Sequence, residues 1–198
     1  MQEQKGDAMQ RENCRRGPRA GSYPDEAECL RMLAEYGTPQ RVINHCREVT
    51  RVAVAVGERL NQRGFALNIE LVRAAGLLHD IARVEPRHWE VGARVVRAAG
   101  YDDVADIIAA HMTYPQFSPA AETNETDLVC LGDRTVREDT CVGVEARMAY
   151  IMDKARRNAG DEREQVLARI ERSKEKLTQY VHDLEKIMGC SMADLLRH

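Results

Sequence analysis

Apolar side chains return every three or four residues along most of this chain, and the rhythm is clearest between Val42 and Leu60. Val42, Cys46, Val49, Ala53, Val56 and Leu60 step by 4, 3, 4, 3 and 4, the spacing that turns one face of an α-helix toward a core. The flanking residues punctuate similar stretches. Pro24, Asp25 and Glu26 suit a first helical turn, and Gly37 ends that helix. Thr38-Pro39 reads as the N-cap and first residue of the second helix, which stops near Gly64. Asn68 caps a third helix running to about Arg83, and a fourth covers roughly 87–99 and ends at Gly100. Asp102 or Asp103 caps a fifth, reaching Met112. Residues 113–123 carry two prolines and no stripe, and so form a loop. Helices over about 125–136, 144–158 and 161–188 complete the chain; the last places Val166, Ile170, Leu177, Tyr180, Leu184 and Ile187 on one face before Gly189.

No segment alternates as a strand does, and glycine and proline fall between helices, with Gly76, Gly92 and Gly132 as exceptions. The pattern predicts an all-α bundle with a long C-terminal amphipathic helix. Residues 1–21 form a polar, disordered leader, 22–158 the domain, and 159–198 a helical extension packed on it or at a homodimer interface.

Composition narrows the classes. With 198 residues, 43% of them apolar, the chain can bury a sizeable core. A net charge of −3 gives no basic surface for nucleic acid. The apolar runs are far too short to span a bilayer, and the first twenty residues lack the apolar stretch of an export signal. Six cysteines lie far apart without a CxxC pair, which points to reduced thiols in the cytoplasm, with Cys46 and Cys130 as core residues.

Against this background several polar residues stand on the wrong face. LLHDIAR, residues 77–83, sets His79 and Asp80 directly after two leucines. His45 is followed at helical spacing by Val49, Val52 and Val56, and His88 leads Val91 and Val95. Val104, Ile107, Ile108 and His111 follow one helical template, and Asp133 lies between Val129 and Val136. A single inward histidine is ordinarily a core residue bonded to a carbonyl. Here four of the six histidines and two aspartates turn inward on successive helices. Burying six such groups separately is costly. One or two divalent cations satisfy them together, and imidazole with carboxylate suits Fe, Mn, Zn, Ni or Co.

The order His45, His79-Asp80, Asp133, with His88 and His111 between, resembles the HD-domain superfamily of metal-dependent phosphohydrolases and its two-metal, six-ligand subset. LVRAAGLLHDIAR, HWEVGARVVRAAGY, IIAAHM and LVCLGDRTV are similar to that family's ligand-bearing segments. The resemblance implies that His45, His79, Asp80 and Asp133 hold one metal, and that His88 and His111 hold a second bridged by Asp80. It makes His79, Asp80 and Arg83 the catalytic group, and Arg83, Arg134 and Thr113 the substrate contacts. Gly132 stands where alanine is usual, and Arg83 and Arg134 stand where lysine is common. Asp153 is the rival for the closing aspartate.

The implied reaction is hydrolysis of a phosphoester or phosphoanhydride, nucleotide-type as in the bacterial HD enzymes that cleave dinucleoside tetraphosphates, by metal-activated water. Two other readings share the ligand set: a mixed-valence di-iron oxygenase, and a nucleotide-sensing module without turnover. Tyr114, Phe117 and Trp89 are candidates to stack a base, with packing as their ordinary role. His182 and His198 lie outside the pattern, so substituting either by alanine should leave activity and metal content at the wild-type level.

Overall fold

The computed structural model describes residues 23–114, 116–158, 160 and 163–197. The expected leader over 1–21 lies outside the described residues, as does His198. Helix α1 (Glu26–Tyr36) starts behind Asp25, whose carboxylate accepts from the Glu28 N–H, and ends at Gly37 with φ of 80°. Helix α2 (Gln40–Asn61) buries the stripe read from the sequence, Val42 through Leu60, at 4% exposure or less. It is the axis of the fold, touched by α3 (Ile69–Leu78) on one side and α6 (Glu125–Asp133) on another. Helices α4 (His88–Ala98) and α5 (Asp102–Ala110) pair with each other, and α5 leans on α3. The all-α expectation holds among the described residues, apart from a small hairpin in which β1 (Val136–Arg137) pairs antiparallel with β2 (Thr140–Cys141). No helix among them is long and apolar enough to cross a membrane.

Three helices stop earlier than their periodicity suggested, and for one physical reason: local side chains take their last carbonyls. Helix α3 ends at Leu78 instead of Arg83, because His79 Nδ1 bonds the Gly76 carbonyl at 2.8 Å and three-residue turns follow. Helix α5 ends at Ala110 instead of Met112, with His111 Nδ1 on the Ile108 carbonyl at 2.7 Å. Helix α6 ends at Asp133 instead of residue 136, where Thr135 Oγ1 donates to Leu131 and Gly132 carbonyls. Two caps also differ. Thr38 Oγ1 donates to the Ile81 carbonyl, 2.7 Å away, rather than capping α2, and α5 begins without a side-chain cap because Tyr101 precedes it. Asn68 caps α3 as expected.

Helix α7 (Gly143–Asn158) and helix α8 (Arg163–Met188) pack against each other. Leu177, Tyr180, Leu184 and Met188 of α8 are buried, so the long helix lies back on the rest of the chain. Its last carbonyl, Met188, accepts from both Arg59 and Arg63 of the α2 end. A short α9 (Met192–Leu195) follows, capped by Ser191. The loop before α6 is held by Asp127, which is fully buried. One of its oxygens accepts from Tyr114 Oη and the Ser118 N–H, and the other from the Asn124 N–H.

Four mid-helix glycines among the described residues, Gly57, Gly76, Gly92 and Gly132, mark close approaches. A Cβ at Gly76 would meet Thr50 Oγ1 at 2.6 Å and Thr50 Cα at 3.1 Å; one at Gly132 would meet the Val49 carbonyl oxygen at 2.7 Å. One at Gly92 would meet Ile81 Cγ2 at 3.0 Å. Gly76→Ala should therefore destabilise the fold by about 1–3 kcal/mol through overpacking, despite a helix-propensity gain of about 1 kcal/mol. Urea unfolding monitored by circular dichroism measures the balance.

Candidate metal centre

The close approaches bring the polar residues together. Helix α2 supplies His45, the turn after α3 supplies His79 and Asp80, and α4 opens with His88. His111 follows α5, and Asp133 closes α6. Ring centroids lie 5.5 Å apart for His45 and His79, 5.2 Å for His79 and His111, and 5.4 Å for His88 and His111. His79, Asp80, His88 and His111 are all buried, His79 completely. Two triads result, His45–His79–Asp80 and Asp80–His88–His111, each with ligand atoms within 4.8 Å of one another, and Asp80 belongs to both. Asp133 joins through His45, with Oδ1 3.2 Å from Nε2.

The orientation of the rings is set from behind. His79 and His111 each give Nδ1 to a carbonyl of their own helix, and His45 gives Nδ1 to the Glu138 carbonyl at 2.7 Å. A carbonyl only accepts, so these Nδ1 atoms carry protons, and for His79 and His111 it is Nε2 that faces the cluster. His79 Nε2, His111 Nε2 and Asp80 Oδ1 are buried with no hydrogen-bond partner. Buried acceptors without partners are costly. Three converging on one small space form the donor set that a borderline divalent cation satisfies, with carbonyl-bound rings of the kind that orient metal ligands. The residues fit a metal.

Charge within the cluster follows the same geometry. Burial pushes the His79 pKa down, which keeps its ring neutral. For His45, burial also acts downward, but the Asp133 carboxylate and the Glu138 carbonyl outweigh it and raise the pKa. Burial would raise the Asp80 pKa, yet His79, His111, His88 and Arg83 hold it well below the usual carboxylate range. Asp133 is likewise held low against burial, chiefly by His45 and His79.

The other sequence candidates divide. Arg83 stands at the mouth, 44% exposed, with Nε 3.4 Å from Asp80 Oδ2 and Nη1 donating to His88 Nε2 at 3.0 Å. Thr113 is exposed on the turn that follows His111. Arg134 turns away from Asp80: Nη2 donates to the Tyr114 carbonyl and the guanidinium lies over the Phe117 ring. Asp153 is exposed and paired with Arg157, so it is not the closing carboxylate of the cluster. Trp89 meets His88 edge-on at 5.3 Å. Sequence reasoning missed two features. Arg147 donates to the Asp133 carbonyl at 3.4 Å and has Nη2 3.9 Å from Asp133 Oδ1. Glu138 adopts φ of 56° at the hairpin turn and presents the carbonyl that holds His45. No periodicity signals either; the glutamate–aspartate pair at 138–139 was the only turn hint.

A profile of the HD domain matches residues 42–158, the span that contains all six clustered residues. The chain belongs to the HD domain family. HD domains bind divalent metals and are generally metal-dependent phosphohydrolases. Over 101 residues this HD chain is 39% identical to a tRNA (cytidine(56)-2'-O)-methyltransferase of Thermoplasma volcanium, a match covering 49% of the chain and 28% of that protein. It is 34% identical over 88 residues to a ribonuclease Y of Pseudothermotoga lettingae, covering 41% of the chain and 16% of the relative. A ribonuclease Y of Fusobacterium nucleatum subsp. nucleatum is 30% identical over 128 residues, covering 62% and 23%. The chain thus spans well under half the length of each of these proteins. No solved structure gives a significant match.

The shared position of Asp80 predicts an ordered pattern of metal loss. Asp80→Ala should abolish metal retention, whereas His45→Ala and His88→Ala should each lower the ion count by about one per chain if two ions are held. Elemental analysis of proteins whose circular dichroism matches the wild type checks it, and full metal content in Asp80→Ala would refute the assignment.

Proposed function

We propose that this chain hydrolyses a phosphoester or phosphoanhydride bond of a nucleotide, using water activated at the six-residue cage. The observation that carries the reading is the convergence of two buried Nε2 atoms and a carboxylate oxygen, all without partners, around Asp80. A divalent Fe, Mn, Ni, Co or Zn ion bound there, or a pair of them, supplies the Lewis acidity that lowers the pKa of water and neutralises a phosphoryl oxygen. His45, His79, Asp80 and Asp133 would hold one ion, and His88 and His111, with Asp80, would hold the other. The Arg83 guanidinium, 3.4 Å from Oδ2, favours the ionised Asp80 carboxylate, so both of its oxygens remain available to metal.

On this reading Arg83 meets the substrate. Its guanidinium already reaches Asp80 and His88 from the mouth, and a planar fork suits a phosphate. Arg147 supplies a second guanidinium on the Asp133 side, and Thr113 a hydroxyl on the exposed turn after His111. No serine or cysteine nucleophile is needed. The cysteines support this division of labour: burial raises Cys46 well above its ordinary pKa and pushes Cys130 up to about 12, which keeps both as thiols. Unpaired cysteines among the described residues fit a reducing cytoplasm.

Within this class we favour a compact phosphoanhydride substrate of the dinucleoside tetraphosphate type, on the spacing of the ligand segments. The ribonuclease Y relatives support a second reading, in which the bond cleaved is an RNA phosphodiester. Protein purified without added metal, analysed for metal content and then assayed with Mn or Fe, should release product from a dinucleoside tetraphosphate. His79→Ala should reduce that rate on the order of 100-fold or more. Cleavage of a short oligoribonucleotide instead would select the second reading. Oxygen uptake with no hydrolysis of either would overturn both.

A further inference from the structure

We propose that this chain carries a second ligand site, separate from the metal cage, which binds a small aromatic phosphate of the nucleoside monophosphate type. The site is a cavity of about 380 Å³ between Tyr114, residues 116–120 and helix α8, within the size range of small-molecule sites. Phe117, Arg134 and Met148 line one side; Lys176, Leu177 and Tyr180 of α8 line the other. None of the six cage residues lines it. Helix α8 lies beyond the span matched by the HD profile, so six of the fourteen residues lining this cavity come from outside that match.

Arg134 carries the argument. It is a half-buried guanidinium with no carboxylate partner among the described residues. Its face rests on the Phe117 ring, 5.2 Å from the centroid, and Phe117 in turn stacks on Tyr180 at 4.5 Å. Nη2 donates to the Tyr114 carbonyl, while Nη1 is buried without an acceptor. Arg134 thus lines the cavity as a half-buried cation without a carboxylate, and an oxyanion is the group that completes it. Lys176, exposed at the rim, also has no carboxylate partner among the described residues. The one acid lining the cavity, Asp183, is already engaged by Lys186 at 3.1 Å and Gln179 at 2.9 Å. The cavity is therefore cationic where it is unsatisfied. Its remaining wall, Phe117, Met148 and Leu177, suits a flat, uncharged body. Cation at one end and apolar wall along the side together specify an anion on an aromatic ring, and two cations favour a phosphate.

The site needs no metal, so its test is independent of the proposed hydrolysis. Isothermal titration of adenosine monophosphate into the full chain stripped with chelator should give a submillimolar dissociation constant. Inorganic phosphate and adenosine alone should bind more weakly, since each engages one part. Arg134→Gln should weaken binding about tenfold or more, and Lys176→Glu, at an exposed position, should do so without affecting folding. His79→Ala should bind as wild type does. Absence of binding at about 10 mM nucleotide would overturn the proposal. So would binding that survives both Arg134→Gln and Lys176→Glu, or binding lost in a folded His79→Ala, because each assigns the nucleotide elsewhere.

Discussion

The contact between three backbones around α2 is the constraint from which the rest follows. Gly76 lets α3 settle against Thr50, and Gly132 lets α6 settle against the Val49 carbonyl. Both contacts lie within about one turn of His45 along α2, while His79 and Asp133 follow the two glycines by three residues and one. A side chain at either glycine would push its helix outward, and a shift of an ångström at the contact is carried to the ligand atoms because close-packed interiors transmit strain. Gly92 does the same for α4 against Ile81, which seats His88. The polar cluster is thus a consequence of how near the helices come, and the nearness is a property of three residues without side chains.

Burial on this scale has an electrostatic cost that the structure meets unevenly. The outer nitrogen of each of three rings is satisfied by a carbonyl, and Asp80 is held ionised by imidazoles and Arg83. His79 Nε2, His111 Nε2 and Asp80 Oδ1 are left open. A fully satisfied core would be more stable and chemically inert; an incompletely satisfied one is what a cation completes. The same contrast separates Asp127 from Asp80. Both are buried carboxylates, but Asp127 has a donor on each oxygen and ties Tyr114, Ser118 and Asn124 together at the start of α6. Burial alone does not mark a functional acid; the missing partner does.

Much of this was legible in the residues. The stripe of α2, the Asn68 cap, the burial of Leu177, Tyr180 and Leu184 on α8, and the inward set of histidines all follow from helical period, which is a local property. The errors cluster at helix ends. His79, His111 and Thr135 read as ordinary helical residues, yet each bonds a carbonyl of the preceding turn and stops the helix there. Thr38 reads as a cap, yet its hydroxyl is taken by Ile81, 43 positions away. Period describes which face a residue occupies; it does not describe competition for a carbonyl.

What the sequence determined alone was which residues turn inward and on which helices, because the 3.6-residue repeat and the polar exceptions to it are written position by position. Only the tertiary structure decided which of those residues meet. It placed Asp80 in both triads, set Arg134 on a cavity beside α8, brought Arg147 to Asp133, and put the Glu138 carbonyl behind His45 across 93 positions. These are distances between distant segments, set by packing and by turn geometry, and no local repeat encodes them.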